Sequence, residues 1–294
     1  MGSVRVNDLL VHVWPAAEPD APVAVAAHGI TANGLAWARV AQLLEKRVTL
    51  VAPDLRGRAG SRAAPGPYGI RRHADDMAAV LDGLGLARAV FVGHSMGAYV
   101  AAVAAVRHPA LVSAVVLIDG GLSFPVPAGV DGDALLHAVL GPAMARLEMS
   151  FPDREAYRRY WQAHPALTGH WAPWVDDYIQ HDLVGEGPYR SSCVVEAVRV
   201  DGGQVLANAE VHSAIHQLPV PGVLLWAPRG LQNEEQGLYD EQRLRGLALP
   251  TVRVADTNHY TLLLDDAGAS VVAEHIIAAA QVKAAGPAAE SALS

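Results

Sequence analysis

Short, almost wholly apolar runs alternate with longer Ala- and Leu-rich segments along this 294-residue chain. A strand buried on both faces reads as a continuous apolar run, and a covering helix reads as a longer periodic one. The runs Val4–Val6, Leu10–Trp14, Val23–Ala27, Val48–Ala52, Ala89–Val92, Ala114–Ile118, Gly222–Trp226 and Thr251–Ala255 are expected to be strands. Leu35–Lys46, Arg72–Leu84, Met96–His108, Tyr239–Arg245 and Ala267–Gln281 are expected to be helices. The pattern predicts an α/β fold with a mostly parallel central sheet and helices on both faces. With 51% apolar and 18% charged residues the chain can bury a large core, which excludes general disorder.

The alternation stops between Gly121 and about Ala214. Helical patterns dominate there: Ser150 to Asp153 reads as a capped start, followed by Tyr157, Tyr160 and Trp161 on one face, and Trp171, Trp174, Val175 and Tyr178 share a second stripe. Residues 122–215 carry 9 of the 17 Phe, Trp and Tyr residues in 94 of the 294 positions, more than twice the density elsewhere. An aromatic-rich helical insertion after the sixth strand is expected to cap a site. The division is therefore 1–121 with 216–294 as core and 122–215 as cap. The stretch from about Lys283 is rich in small residues and is expected to fray.

The sharpest chemical signal is Gly93-His94-Ser95-Met96-Gly97, directly after an apolar run and directly before an Ala-rich helix. A strand-to-helix turn tight enough to project a hydroxyl needs glycine on both sides, because a Cβ would collide with the neighbouring elements. The helix N-terminus then offers unpaired N–H groups where an oxyanion would form. Ser95 is the expected nucleophile. A serine hydroxyl needs a base, and of the 13 histidines His259 stands out, because it follows the last strand in a loop at the expected C-terminal edge of the sheet. His94 is expected to point away from the serine. The second oxyanion donor should follow another central strand, and Val23–Ala27 leads into His28-Gly29-Ile30. The N–H groups of Ile30 and Met96 would form the pair, with His28 as a structural ring.

These features together resemble the α/β-hydrolase superfamily, from His28-Gly29 through Asp54-Leu-Arg56-Gly57-Arg-Ala-Gly60-Ser61 and the Ser95 turn to His259. The superfamily carries its lid where residues 122–215 lie. Its commonest acid follows the strand equivalent to Gly222–Trp226, but here that turn reads Ala227-Pro228-Arg229-Gly230. Another branch places the acid one strand earlier, which would be Asp119; Glu234 and Glu235 are the alternatives. Epoxide hydrolases and haloalkane dehalogenases of this fold put Asp where Ser95 stands, so the resemblance favours acyl transfer.

The expected function is a serine hydrolase acting on a small to medium hydrophobic carboxylic ester or lactone. A thioesterase, a carbon–carbon bond hydrolase or a non-catalytic binding protein are the other readings. Trp37, Trp161, Trp171, Trp174 and Tyr260 are expected to line the substrate pocket, while Arg146, Arg158 and Arg199 are expected on solvated faces. Neither a metal nor an organic cofactor is implied, since HExxH and phosphate-binding glycine loops are absent. Lys and Arg number 22 against 30 Asp and Glu, a net charge of −8 that argues against nucleic acid or an anionic membrane. The lone Cys193, the lack of a signal-like start and the lack of a long apolar run point to a cytoplasmic protein without disulfides. The partner is a small hydrophobic molecule, and oligomeric state is left open.

Overall fold

The computed structural model describes residues 1–123 and 132–281, so the tail from Lys283 lies outside the described residues. Ten strands are assigned: β1 (Gly2–Val6), β2 (Leu9–Trp14), β3 (Val23–Ala27), β4 (Thr49–Pro53), β5 (Ala89–His94), β6 (Val112–Ile118), β7 (Leu183–Val184), β8 (Arg190–Ser191), β9 (Gly222–Trp226) and β10 (Thr251–Arg253). The helices are α1 (Ala38–Leu43), α2 (Ile70–Gly83), α3 (Met96–Arg107), α4 (Gly132–Glu148), α5 (Arg154–Gln162), α6 (Pro173–His181), α7 (Val195–Ala207), α8 (Ala209–Ser213), α9 (Glu241–Leu244), α10 (Thr261–Leu264) and α11 (Asp266–Gln281).

Eight strands form one sheet in the order β1-β2-β4-β3-β5-β6-β9-β10. β1 and β2 pair antiparallel, β2 meets β4 antiparallel, and every other neighbour is parallel. Hence all eight expected strands exist in one mostly parallel sheet, and helices cover both faces. Two core clusters lie one on each side of the sheet: Phe91, Val115 and Leu117 face one, and Val90, Val92 and Val116 face the other. Alternate residues of one strand thus feed opposite cores, which is why these runs are apolar throughout.

Three expectations shift. Leu35–Lys46 does not form one helix: Asn33 caps a 3₁₀ turn at Gly34–Trp37, α1 follows, and Glu45 and Lys46 take positive φ (51° and 59°), which ends it early. Tyr239–Arg245 contracts to α9, because Asp240 accepts the Arg243 N–H and serves as N-cap. The insertion also holds the tiny β7–β8 pair, joined through Leu183–Ser191 and Val184–Arg190, two residues per strand being too few for any periodic signal.

Strand order reverses at β3, whose following strand lies on one side and whose next parallel partner β5 lies on the other. The crevice outside the C-terminal ends of β3 and β5 is where a doubly wound sheet accommodates ligands. Residues between β6 and β9 lie over that edge and are tied to it: Asn33 Nδ2 donates to Tyr178 O at 2.9 Å, Trp174 Nε1 to Leu264 O at 2.8 Å, and Asn258 Nδ2 to Ala166 O at 2.9 Å. α4 is interrupted by Pro142, and Leu140 leaves helical geometry just before it (φ −114°, ψ 15°). No helix among the described residues is long and apolar enough to cross a membrane.

Candidate active site

Ser95 sits between the last residue of β5 and the first of α3 with φ 56° and ψ −122°, a strained conformation for a residue with a side chain. The flanking glycines explain how the turn closes. A Cβ on Gly93 would lie 2.0 Å from Gly97 O, and a Cβ on Gly97 would lie 2.1 Å from Ala27 O and 2.9 Å from His28 O. The second approach is what brings α3 against the end of β3. Gly97→Ala must therefore push the helix off that strand. A stability loss of about 3 kcal/mol and a fall of roughly 5 °C in thermal midpoint are expected by calorimetry. A midpoint within 2 °C of the parent would show the contact to be compliant.

The end of β3 supplies the facing loop. Gly29 O accepts His28 Nδ1–H at 2.7 Å and Ala32 N–H at 3.1 Å. The Ile30 N–H belongs to the same planar amide as Gly29 C=O, so fixing one fixes the other. Met96 is the first residue of α3, and its N–H has no acceptor within the helix. Ile30, Met96 and Ser95 line one cavity together.

His28 is wholly buried, its Nδ1 donating to Gly29 O and its Nε2 accepting the Leu55 N–H at 2.9 Å. Burial drives its pKa down from 6.5 to about 3, against the opposing pull of the Gly29 carbonyl and Asp54. The unfolded chain binds a proton at this ring below about 6.5 that the folded chain refuses until about 3. Its contribution is complete above 6.5 and is lost as pH falls, about 2 kcal/mol by pH 5. Urea titrations at pH 7 and pH 5 should show a smaller acid loss in His28→Asn than in the parent, by about that amount. Equal losses in both proteins would contradict the assignment.

His259 follows β10 in the turn before α10 and is 4% exposed. Its Nδ1 lies 2.6 Å from Asp119 Oδ2, and Asp119 is fully buried at the end of β6. Asp119 takes φ 45°, its N–H donates to Leu225 O at 2.8 Å, and its Oδ1 accepts the Ala227 N–H at 3.2 Å. β9 thus holds the Asp119 backbone, and the residue just past it, Ala227, holds the carboxylate. Glu234 and Glu235 are exposed, and Glu234 caps its own loop by accepting the Gln232 N–H at 2.8 Å. Gly120 lets this turn approach Ser95: a Cβ there would stand 2.1 Å from Ser95 O.

His94 departs from expectation. Rather than pointing away, its ring stacks obliquely on His259 with centroids 4.5 Å apart, and its Nε2–H donates to His259 O at 2.9 Å. The turn that projects Ser95 leaves the preceding side chain facing the loop after β10. Burial, with His259 beside it, holds its pKa well below 6.5, so the ring stays a neutral donor.

Two small cavities flank Ser95. One, of about 50 Å³, is lined by Ile30, Met96, Tyr99, Leu206, Leu231 and Leu238 beside Ser95, Asp119 and His259. The other, of about 40 Å³, is lined by Ala36, Ala143, Tyr178, Tyr260 and Leu263 beside Ser95, His94 and His259. A third, more open space of about 440 Å³ runs along Gly230, Gln232, Glu234 and Gln236, and shares Leu140 and Leu231 with both inner cavities. Of the five aromatic residues expected to line the pocket, only Tyr260 lines a cavity beside Ser95, while Trp161 lines a separate small cavity with Tyr160, His164 and Tyr260. Trp37 is fully buried in the core, Trp161 packs among Tyr157, Tyr160 and Tyr178, and Trp171 packs against the same core. Trp174 lies under the Arg39 guanidinium at 4.7 Å. Each tryptophan joins the insertion or α1 to the sheet. Leucine is the commonest residue of both walls, which sequence reasoning missed, and Leu231, in the loop after β9, lines both.

Arg146 is likewise no solvated residue: it is 2% exposed and donates to Asp182 at 2.5 Å, Tyr157 Oη at 2.7 Å and Thr31 O at 3.2 Å. Arg158, paired with Asp176 and Glu155, and Arg199 do face solvent. One group among the described residues could gather ligand atoms for an ion, His12, Asp54 and His181, within 4.8 Å of one another. Both histidines already hydrogen-bond Asp54, whose remaining acceptor positions take the Gly34 and Gly60 N–H groups, so the cluster is self-satisfied. It also stands away from the cavities beside Ser95.

A family model described as alpha/beta hydrolase fold matches residues 22–181, more than half of the chain. Over 119 residues the chain is 36% identical to epoxide hydrolase A of Mycobacterium tuberculosis, covering 40% of this chain and 37% of that protein. The chain spans less than half the length of the curated relatives it matches, between 29% and 43%. Among solved structures, E-2-(acetamidomethylene)succinate hydrolase superposes with a TM-score of 0.72 at 22% identity, over 94% of this chain and 98% of that one. The enol-lactonase from Burkholderia xenovorans LB400 superposes with a TM-score of 0.64 at 20% identity, over 95% and 99%. At those identities the likeness is one of fold.

Proposed function

Because this chain belongs to the alpha/beta hydrolase fold family, we propose that it is a serine hydrolase cleaving a small to medium hydrophobic carboxylic ester or lactone. The observation that carries this reading is the 2.6 Å bond between His259 and Asp119, both lining one leucine-rich cavity with Ser95. Ser95 Oγ attacks the substrate carbonyl as His259 Nε2 takes its proton, and Asp119 holds Nδ1–H and stabilises the imidazolium. The oxyanion is met by the N–H groups of Ile30 and Met96. The leaving alcohol collects the proton from His259, and water activated by the same ring then releases the acid. A serine in place of a carboxylate at position 95 favours this route over epoxide opening, despite the partial likeness to an epoxide hydrolase. Residues 1–121 and 216–294 act as core and 122–215 as cap, a division supported by the bonds from Tyr178, Trp174 and Ala166 back to the sheet edge.

Fluorophosphonate labelling followed by intact mass tests the reading without knowledge of the substrate. One adduct on the parent and none on Ser95→Ala is expected, followed by turnover of short-chain p-nitrophenyl esters. An unlabelled parent would remove the hydrolase reading, and labelling with turnover only of thioesters or diketones would move the scissile bond.

A further inference from the structure

The loop after β4 delivers a guanidinium to the oxyanion loop. Arg58 is fully buried. Its Nε–H donates to Ile30 O at 3.0 Å, and its Nη2 lies 4.0 Å from Met96 Sδ. One planar group thus touches both residues whose N–H groups would face the oxyanion. Its Nη1 donates to Arg56 O at 2.8 Å and to Asp201 Oδ2 at 2.5 Å. Asp201 is fully buried on α7, within the insertion, and the same oxygen accepts His73 Nε2–H at 2.9 Å.

Two further observations set this pair apart from a merely cohesive one. Among the described residues, Asp201 Oδ1 and His73 Nδ1 are buried without a hydrogen-bond partner. A buried carboxylate that leaves one oxygen unpaired is a poor stabilising device, and such exceptions call for a functional explanation. In addition, α7 presses on the oxyanion loop itself: a Cβ on Gly202, next to Asp201, would stand 3.3 Å from Ile30 Cδ1. Gly202 also lines the cavity that holds Ser95.

We propose that Arg58 is a positioning residue of the oxyanion hole, and that Asp201 of the inserted helix α7 sets its orientation. The Ile30 carbonyl is fixed by Arg58 as the Gly29 carbonyl is fixed by His28, so both peptide planes flanking Ile30 are held. The insertion then contributes to transition-state stabilisation as well as to the cavity wall. This rests on the acyl-transfer reading of Ser95.

The test compares the parent, Arg58→Lys, Asp201→Asn and the double variant Arg58→Met with Asp201→Leu. The readouts are the second-order rate of Ser95 phosphonylation by a fluorophosphonate, kcat and KM for p-nitrophenyl butyrate, and the thermal midpoint. Lysine keeps the charge but lacks the Nε–H that meets Ile30 O. Arg58→Lys is expected to label and turn over about 10²-fold more slowly with KM within about threefold, and Asp201→Asn to fall between it and the parent. The double variant removes both buried charges together and leaves only neutral groups to lose a partner, so it should fold with a lowered midpoint and remain as slow as Arg58→Lys. Rates within threefold of the parent in a folded double variant would overturn the proposal, because a purely cohesive ion pair is rescued by joint replacement. A parent that takes no label would instead overturn the hydrolase reading on which the proposal stands.

Discussion

Ser95→Ala should lower kcat for p-nitrophenyl butyrate by about 10⁶-fold while leaving KM within a few-fold of the parent. The substitution removes only Oγ, the group that both accepts the acyl chain and donates the proton to His259. Alanine can occupy the same turn, since the φ of 56° at this position is already imposed on a residue with a Cβ. The closing contacts come from Gly93 and Gly97, which are untouched. Fold and substrate binding should therefore persist, checked by circular dichroism and by the thermal midpoint. A loss smaller than tenfold would mean that the bond is broken by water activated at His259, with no acyl-enzyme on this residue.

The second large effect is expected at Asp119. Asp119→Asn should reduce kcat by about 10⁴-fold, as loss of the acid does in serine triads generally. Geometry dictates the reason. The Asp119 Oδ1 accepts the Ala227 N–H at 3.2 Å, so an asparagine will keep its carbonyl oxygen there and turn its NH₂ towards His259 Nδ1. Nδ1 must then accept, the ring proton moves to Nε2, and the nitrogen facing Ser95 can no longer act as a base. The size of the protein and its packing barely change, so the thermal midpoint should move little by comparison. Rates near those of the parent would shift the role to Glu234 or Glu235, and alanine substitutions there would locate it.

Most of the sheet was readable because its strands are buried on both faces and leave unbroken apolar runs such as Ala114–Ile118 and Gly222–Trp226. The turn around Ser95 was readable because glycine spacing there answers to hard contacts, not to preference. Order along the chain placed His259 after the last strand, but order alone could not say which carboxylate meets its ring; that depends on β6 and β9 lying side by side. The tryptophans misled for a physical reason. An aromatic stripe at helical spacing identifies a buried face without saying what covers it, and here Trp161 and Trp174 fasten the insertion to the sheet. Arg146 and Arg58 were unreadable as buried charges, because their partners Asp182 and Asp201 stand 36 and 143 residues away. His94 was misjudged because its partner is a backbone carbonyl, which has no signature in side-chain sequence.

The carboxylate facing His259 leaves from β6, so in the proposed mechanism the segment after β9 need not supply the acid. Residues 228–240 instead contribute Leu231 and Leu238 to the inner cavity and Gln232, Glu234 and Gln236 to the outer one. In the proposed hydrolase, chemistry and selectivity would be written on separate stretches of chain. A library randomised over 231–238 can explore new substrates while the atoms that break the bond stay where they are, which makes this loop the natural point of entry for redesign.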